Sequence, residues 1–176
     1  MINFSSGLIC LLGALAALGA AAIDMYLPSL PSIESELGGV SGSAQFTLSS
    51  FFIGLGLGQL FYGPISDSLG RRKVLVVGLL IYCLGSLFCF FAGTMMELIA
   101  ARFFQALGAA AGGVIARAMV RDVFTGKKAA QAQSFINLAF SFTPLMAPLF
   151  GGYLLIFFGW RSIFLALLLF GIICLL

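Results

Sequence analysis

The chain lacks histidine altogether and is poor in charge: nine basic and six acidic side chains among 176 residues, 9% charged in all. A soluble domain usually carries about a quarter charged residues. This much polar surface cannot cover a water-soluble globule, so most of the surface is expected to face lipid. Cysteine is scarce too. Cys10, Cys83, Cys89 and Cys174 each lie inside an apolar run, with no CxxC pair among them. That excludes a zinc framework and argues against a disulfide scaffold; the four read as small hydrophobes. No nucleophile–base constellation and no nucleotide-binding loop is present, so an enzyme is not expected. Gly54 and Gly58 do not form a phosphate loop, because no Lys-Ser/Thr pair follows them. No Gly/Ser linker, low-complexity tract or soluble domain interrupts the chain. No Lys or Arg precedes the first run, "GLICLLGALAALGAAA", so it is expected to be a retained span rather than a cleaved leader. The net charge of +3 comes from bases lying between apolar runs, and gives no ground for nucleic-acid binding.

What is present is hydrophobic, 61% of the residues. Six apolar runs occupy about 6–28, 44–62, 74–93, 97–117, 132–155 and 162–176. A spanning helix needs about 20 such residues. The runs are continuous rather than alternating, which favours helices over a β-barrel. The expected fold is an all-α membrane protein, a six-helix transmembrane bundle forming one unit. The sixth run reaches 15 residues, about 22 Å as a helix, and reads as a truncated span. Arg71, Arg72 and Lys73 fall in the 2–3 loop; Arg121, Lys127 and Lys128 fall in the 4–5 loop, with Arg117 just before it. The 1–2 loop carries Glu34 and Glu36, and the 5–6 loop only Arg161 as a base. The positive-inside rule then places loops 2–3 and 4–5, and the N-terminus, in the cytoplasm.

Within the spans, Gly54/Gly58 and Gly108/Gly112 are small residues four apart, which let helix backbones approach closely. In span five, Pro144, Pro148 and Gly152 share one stripe; the prolines imply a bend, either a static kink or a seal at one end of a pathway. Asp24 lies in the outer third of span one. A carboxylate there is costly unless paired, hydrated or protonated. It is therefore either an interfacial acid or a group that handles a proton or cation. Arg102, with Gln105 on its face, falls in the same leaflet; it either faces a polar cavity shared with Asp24 or snorkels to the outer interface.

The stretch "GPISDSLGRRKVL" at 63–75 poses a separate question. Gly63 and Pro64 are expected to end span two, and Gly70 to turn the chain. Topology explains the bases but not Asp67. A carboxylate among arginines at helix ends suggests a specific charge cluster. Its candidate partners are Arg71, Arg117, Arg121 or the positive end of a neighbouring helix.

These residues carry a resemblance. Gly63-Pro64-Ile65-Ser66-Asp67-Ser68-Leu69-Gly70-Arg71-Arg72-Lys73 resembles the loop 2–3 signature of the major facilitator superfamily, with Ser68 where a base is common. "LIAARFFQALGAAAGG" resembles its fourth-span motif, with Ala106 where Gly is usual. "TPLMAPLFGG" resembles its fifth-span antiporter motif through Pro148, Gly151 and Gly152, with Thr143 and Ala147 at usual Gly positions. Together with "DMYLPSLP" and "RAMVRDVF", they are similar to the N-terminal half of the Bcr/CflA branch of drug:proton antiporters. The resemblance implies a bacterial inner-membrane exporter in which two six-span bundles rock around a cavity. Its partners would be the bilayer, a small lipophilic or amphipathic substrate and a C-terminal six-span half. The energy source would be the proton gradient, without a cofactor. Asp24 and Arg102 would couple the proton. Asp67 and Arg71 would hold the loop. Pro148 to Gly152 would set export direction and seal against leaks. An importer or facilitator of a small metabolite, and a non-transporting assembly partner, are the alternatives.

Overall fold

The computed structural model describes residues 3–38, 40 and 42–176, which are helical with no strand among them. Helix α1 spans Asn3–Asp24, and a 3-10 turn at Leu27–Ser29 leads into the short α2, Leu30–Leu37. Then follow α3 (Gln45–Leu69), α4 (Arg71–Phe91), α5 (Met95–Val123), α6 (Gly126–Phe158) and α7 (Arg161–Leu175). Five stretches are long and apolar enough to cross a membrane, the first running Gly7–Leu37; α7 is apolar and shorter.

Two boundaries depart from the sequence reading. Glu34 and Glu36 lie on α2 rather than in an open loop; Pro31 sits in its first turn, where the missing N–H is not needed. Gly63 and Pro64 do not end the third helix, which continues through both to Leu69. Ser66 helps there: its hydroxyl donates to the Gly63 carbonyl at 3.0 Å. The helix stops at Gly70, whose φ of 93° suits glycine and few other residues.

α5 lies at the centre, against α3, α4 and α1, while α6 leans on α1 and α7 on α4. Lipid offers helices no hydrophobic reason to associate, so shape must supply it. A Cβ at Gly54 would stand 2.6 Å from the Phe103 carbonyl oxygen, and one at Gly58 2.5 Å from the Ala110 methyl, so both glycines seat α3 on α5. The second pair divides its work. Gly108 meets the Tyr82 backbone on α4, whereas a Cβ at Gly112 would stand 2.6 Å from the Leu15 carbonyl oxygen on α1. Alanines 106, 109, 110, 111 and 116 complete the buried surface of α5. Its first turn is fixed by a capping box in which Thr94 and Glu97 bond each other's backbone N–H groups.

The outer faces are apolar and open: Ile53, Leu60 and Phe61 on α3, Leu84 and Phe88 on α4, and Leu149, Phe150 and Ile156 on α6. A surface of this kind belongs in hydrocarbon rather than water.

The backbone contacts predict unequal glycines. Gly54→Val should lower the thermal midpoint of the detergent-solubilised chain, by roughly 1–3 kcal/mol of overpacking or more. Gly56→Ala, two residues on and with open space around it, should leave the midpoint unchanged or slightly raised. A fluorescence-detected melt would compare them.

Candidate functional site

Two ends of the bundle are marked by charge. At one, Arg71 opens α4 immediately after Gly70. Its Nη1 lies 2.5 Å from Asp67 Oδ1 and its Nε 3.0 Å from Asp122 Oδ2. Nη1 also donates to Ser66 Oγ at 2.6 Å. One guanidinium thus ties the end of α3, the start of α4 and the end of α5. Of the candidate partners for Asp67, Arg71 is the one that meets it. Arg72 and Arg121 are exposed and make none of these bonds. Asp122 was missed by the sequence reading, although it stands in the quoted "RAMVRDVF" beside a nominated arginine. Both carboxylates are more than half exposed. Exposed pairs contribute about 0–1 kcal/mol each, so this cluster biases a geometry rather than fixing it.

At the opposite end, Glu36 of α2 accepts from Trp160 Nε1 at 2.7 Å and from Arg161 Nη1. Arg161 also donates to the Ala92 carbonyl at 3.2 Å, and its guanidinium carbon lies 4.2 Å from the Trp160 ring centroid. This clasp joins α2, the α4–α5 turn and the α6–α7 turn. No sequence motif announced it, because Glu36 stands more than 100 residues from Trp160 and Arg161.

Arg102 is fully buried, which rules out snorkelling in this conformation. It does not pair with Asp24 either. Instead its guanidinium carbon sits 4.1 Å from the Phe51 ring centroid, 4.4 Å from that of Tyr26 and 5.8 Å from that of Phe164. The reason is local. α1 ends at Asp24, and the following turn presents Tyr26 to Arg102, with the tyrosine hydroxyl held at 2.7 Å by Thr47 Oγ1. Nη1 of Arg102 donates to Gln105 Oε1 at 2.6 Å, and Gln105 Nε2 donates to Ser86 Oγ at 2.8 Å. Nε and Nη2 have no partner among the described residues. Burying a guanidinium costs several kcal/mol; each desolvated aromatic face returns about 2 kcal/mol.

Asp24 lies elsewhere, half-buried in a cavity of about 350 Å³ between α1, α3, α5 and α6. Gln59 and Arg117 share this cavity, with Phe52, Leu55 and Phe140 among its apolar walls. Arg117, nominated for the charge cluster, is therefore a cavity residue. Asp24 makes no ion pair among the described residues.

Of the fifth-span motif glycines on α6, Gly151 is the one that packs inward. Pro144 is exposed, and a side chain at Gly152 would meet open space. Ala147 and Gly151 are the buried positions. Gly151 meets the Met25 backbone so closely that a Cβ would collide with it. The fifth-span motif thus rests directly on the turn that follows Asp24. Pro148, part-buried, lies inside the same unbroken helix.

A bundle of apolar helices enclosing an acid in a cavity, with charge clusters at both ends, defines a multi-pass membrane protein. The chain belongs to the Major Facilitator Superfamily, whose family model matches residues 9–176. It is 43% identical over 163 residues to an uncharacterized MFS-type transporter, YdgK, of Bacillus subtilis, covering 92% of this chain and 40% of that protein. It is 37% identical to Multidrug resistance protein D of Escherichia coli, over 92% of this chain and 41% of that one. The Bicyclomycin resistance protein homolog of Haemophilus influenzae gives the same identity and coverage. The chain spans about two fifths of the length of these relatives. Among solved structures, the human organic anion transporter MFSD10 superposes with a TM-score of 0.68 at 19% identity, covering 99% of this chain and 48% of that one, a likeness of fold.

Two outcomes follow from the packing. Arg102→Met, similar in volume and without the buried charge, should leave the melting midpoint unchanged or raised. Arg102→Ala should lower stability by about 2–5 kcal/mol through the space left beneath the rings. Gly151→Ala should destabilise while Gly152→Ala does not, and denaturation in detergent would separate the two.

Proposed function

We propose that this chain is the N-terminal six-helix half of a proton-coupled exporter of small amphipathic compounds, working by alternating access in a bacterial inner membrane. Loops rich in Lys and Arg would face the cytoplasm, and so would the N-terminus. The α3–α4 and α5–α6 connections lie at one end of the bundle, joined through Arg71 and Asp122, and carry most of the bases. The observation that carries the reading is Asp24, a half-buried acid in a cavity, at the one turn on which Gly151 of α6 leans. The relatives named for multidrug and bicyclomycin resistance support the export of drugs.

In the proposed cycle, a proton from outside neutralises Asp24 in the outward-open state and favours release of the substrate. The bundle then tilts, the proton leaves inward, and the charged acid favours a new substrate. Substrate and proton need not touch if both act on one charge balance. Arg102 would be the fixed positive charge of this balance, caged near the moving turn. Asp67, Arg71 and Asp122 would favour one tilt by their modest bond energies. The energy source is the proton gradient, and the opposing wall would come from a C-terminal six-span half.

The test is transport by this chain reconstituted with such a half in proteoliposomes. An imposed inward proton gradient should drive export of a fluorescent drug. Asp24→Asn should abolish dependence on the gradient while downhill exchange persists. Gradient-driven flux unchanged in the variant would remove Asp24 from the mechanism. Uptake in the opposite sense would favour an importer, and stable assembly without any flux a non-transporting partner.

A further inference from the structure

The second charge in the Asp24 cavity has no part in that cycle. The geometry points to Arg117 as a specificity-determining residue, and to an elongated bipolar amphiphile as the substrate class. Such a molecule has a cationic or N–H donor end for Asp24, a carboxylate or carbonyl end for Arg117, and a flat apolar body between. This rests on reading the cavity as the substrate site of the proposed exporter.

An arginine six residues from the end of a membrane helix usually extends toward the nearby water. Arg117 is exposed, yet its side chain leads back along α5. A Cβ built at Gly113, one turn back along α5, would lie 3.8 Å from an Arg117 Nη2, so the guanidinium folds back toward the middle of the bundle. Side chains on a helix lean toward its N-terminus. α1 and α5 run antiparallel, because Gly112 meets Leu15 whereas Ala109 lies beside Gly19. Asp24 and Arg117 therefore lean toward each other from opposite ends of one cavity. Asp24 is about one and a half turns beyond Gly19, and Arg117 about two turns beyond Ala109 in the other direction. At about 1.5 Å per residue their backbones stand about 20 Å apart along the bundle. The inward lean of both side chains shortens that gap to something a drug-sized molecule spans.

Between the charges lie matching features. Gln59, level with Ala110 through the Gly58 contact, offers a donor and an acceptor midway. Phe52 and Phe140 offer aromatic walls to a flat body, and Gly19, Ala20 and Gly113 leave it room. The planar guanidinium of Arg117 recognises carboxylates or carbonyls well. A simple lipophilic cation would satisfy Asp24 and meet repulsion from Arg117. A simple anion would meet the converse.

Three forms of one fluorescent molecule test this. Ciprofloxacin carries a carboxylate and a piperazinium at opposite ends of a flat ring system. Its methyl ester is a cation, and its N-acetyl derivative an anion. Binding to the chain in phosphatidylcholine nanodiscs is measured at neutral pH, with empty discs subtracted. The zwitterion should bind about tenfold tighter than the ester, as one charge-assisted contact warrants. Arg117→Gln should erase that advantage, and Arg117→Lys should keep the order. Asp24→Asn should move the anion ahead of the ester, which carries the test alone if Arg117→Gln does not fold. The inference is overturned if the ester binds the native chain as tightly as the zwitterion. It is also overturned if Arg117→Gln leaves the order intact, or if none of the three binds above empty discs. Because the readout is binding, failure of proton-driven flux would reject the transport cycle while this ranking stood, and the converse result would reject only the charge selection.

Discussion

Close backbone contact along α5 is the constraint on which the rest of the bundle depends. In hydrocarbon there is no solvent to squeeze helices together, so association comes from packed atoms and a few polar bonds. Glycines 54, 58, 108 and 112 bring three neighbours to within a side chain's width of α5. Only because α3, α4 and α1 stand that close do the polar groups at the bundle ends meet. Arg71 reaches Asp122 across the α4–α5 contact, and Arg102 reaches Phe51 across the α3–α5 contact. The polar chemistry is a consequence of the packing, not its cause.

Magnitudes support that order. The Arg71 cluster and the Glu36 clasp are part-exposed and worth about 0–1 kcal/mol per pair. Removing one methylene's worth of fit from a buried helix contact costs as much or more. The two clusters therefore set which end geometry is favoured within a body that packing has already made. Each bias of 1.4 kcal/mol is a tenfold shift between two states, so even weak clusters matter if the states are nearly balanced.

Helices were legible because continuous apolar runs have one solution in a membrane, and the turn at Gly70 because the charged stretch must leave it. Helix contacts were legible as small residues four apart, but not their partners: Gly108 and Gly112 turned out to serve two different helices. The facing of α6 was not legible, since Gly151 and Gly152 differ by about 100° around a helix and only packing tells them apart. Asp122 was hidden because an acid beside two arginines invites attention to the arginines. The aromatic cage of Arg102 drew one ring each from the α1–α2 turn, α3 and α7, a convergence no local spacing encodes. The chain's turn after Asp24 is what sets Tyr26, rather than the acid, against the arginine.

That turn is the point where the separate observations join. Asp24 ends α1, Met25 bears on Gly151, and Tyr26 covers Arg102, so three consecutive residues touch the cavity, α6 and the buried charge. Met25 and Tyr26 together form the turn between the end of α1 and the 3-10 helix at Leu27–Ser29. In the proposed cycle, a shift of Asp24 in the cavity would pass through these residues to the cage of Arg102, whose Nε and Nη2 have no partner among the described residues. The route from the acid to the arginine would then be two residues of backbone, and would need no direct ion pair.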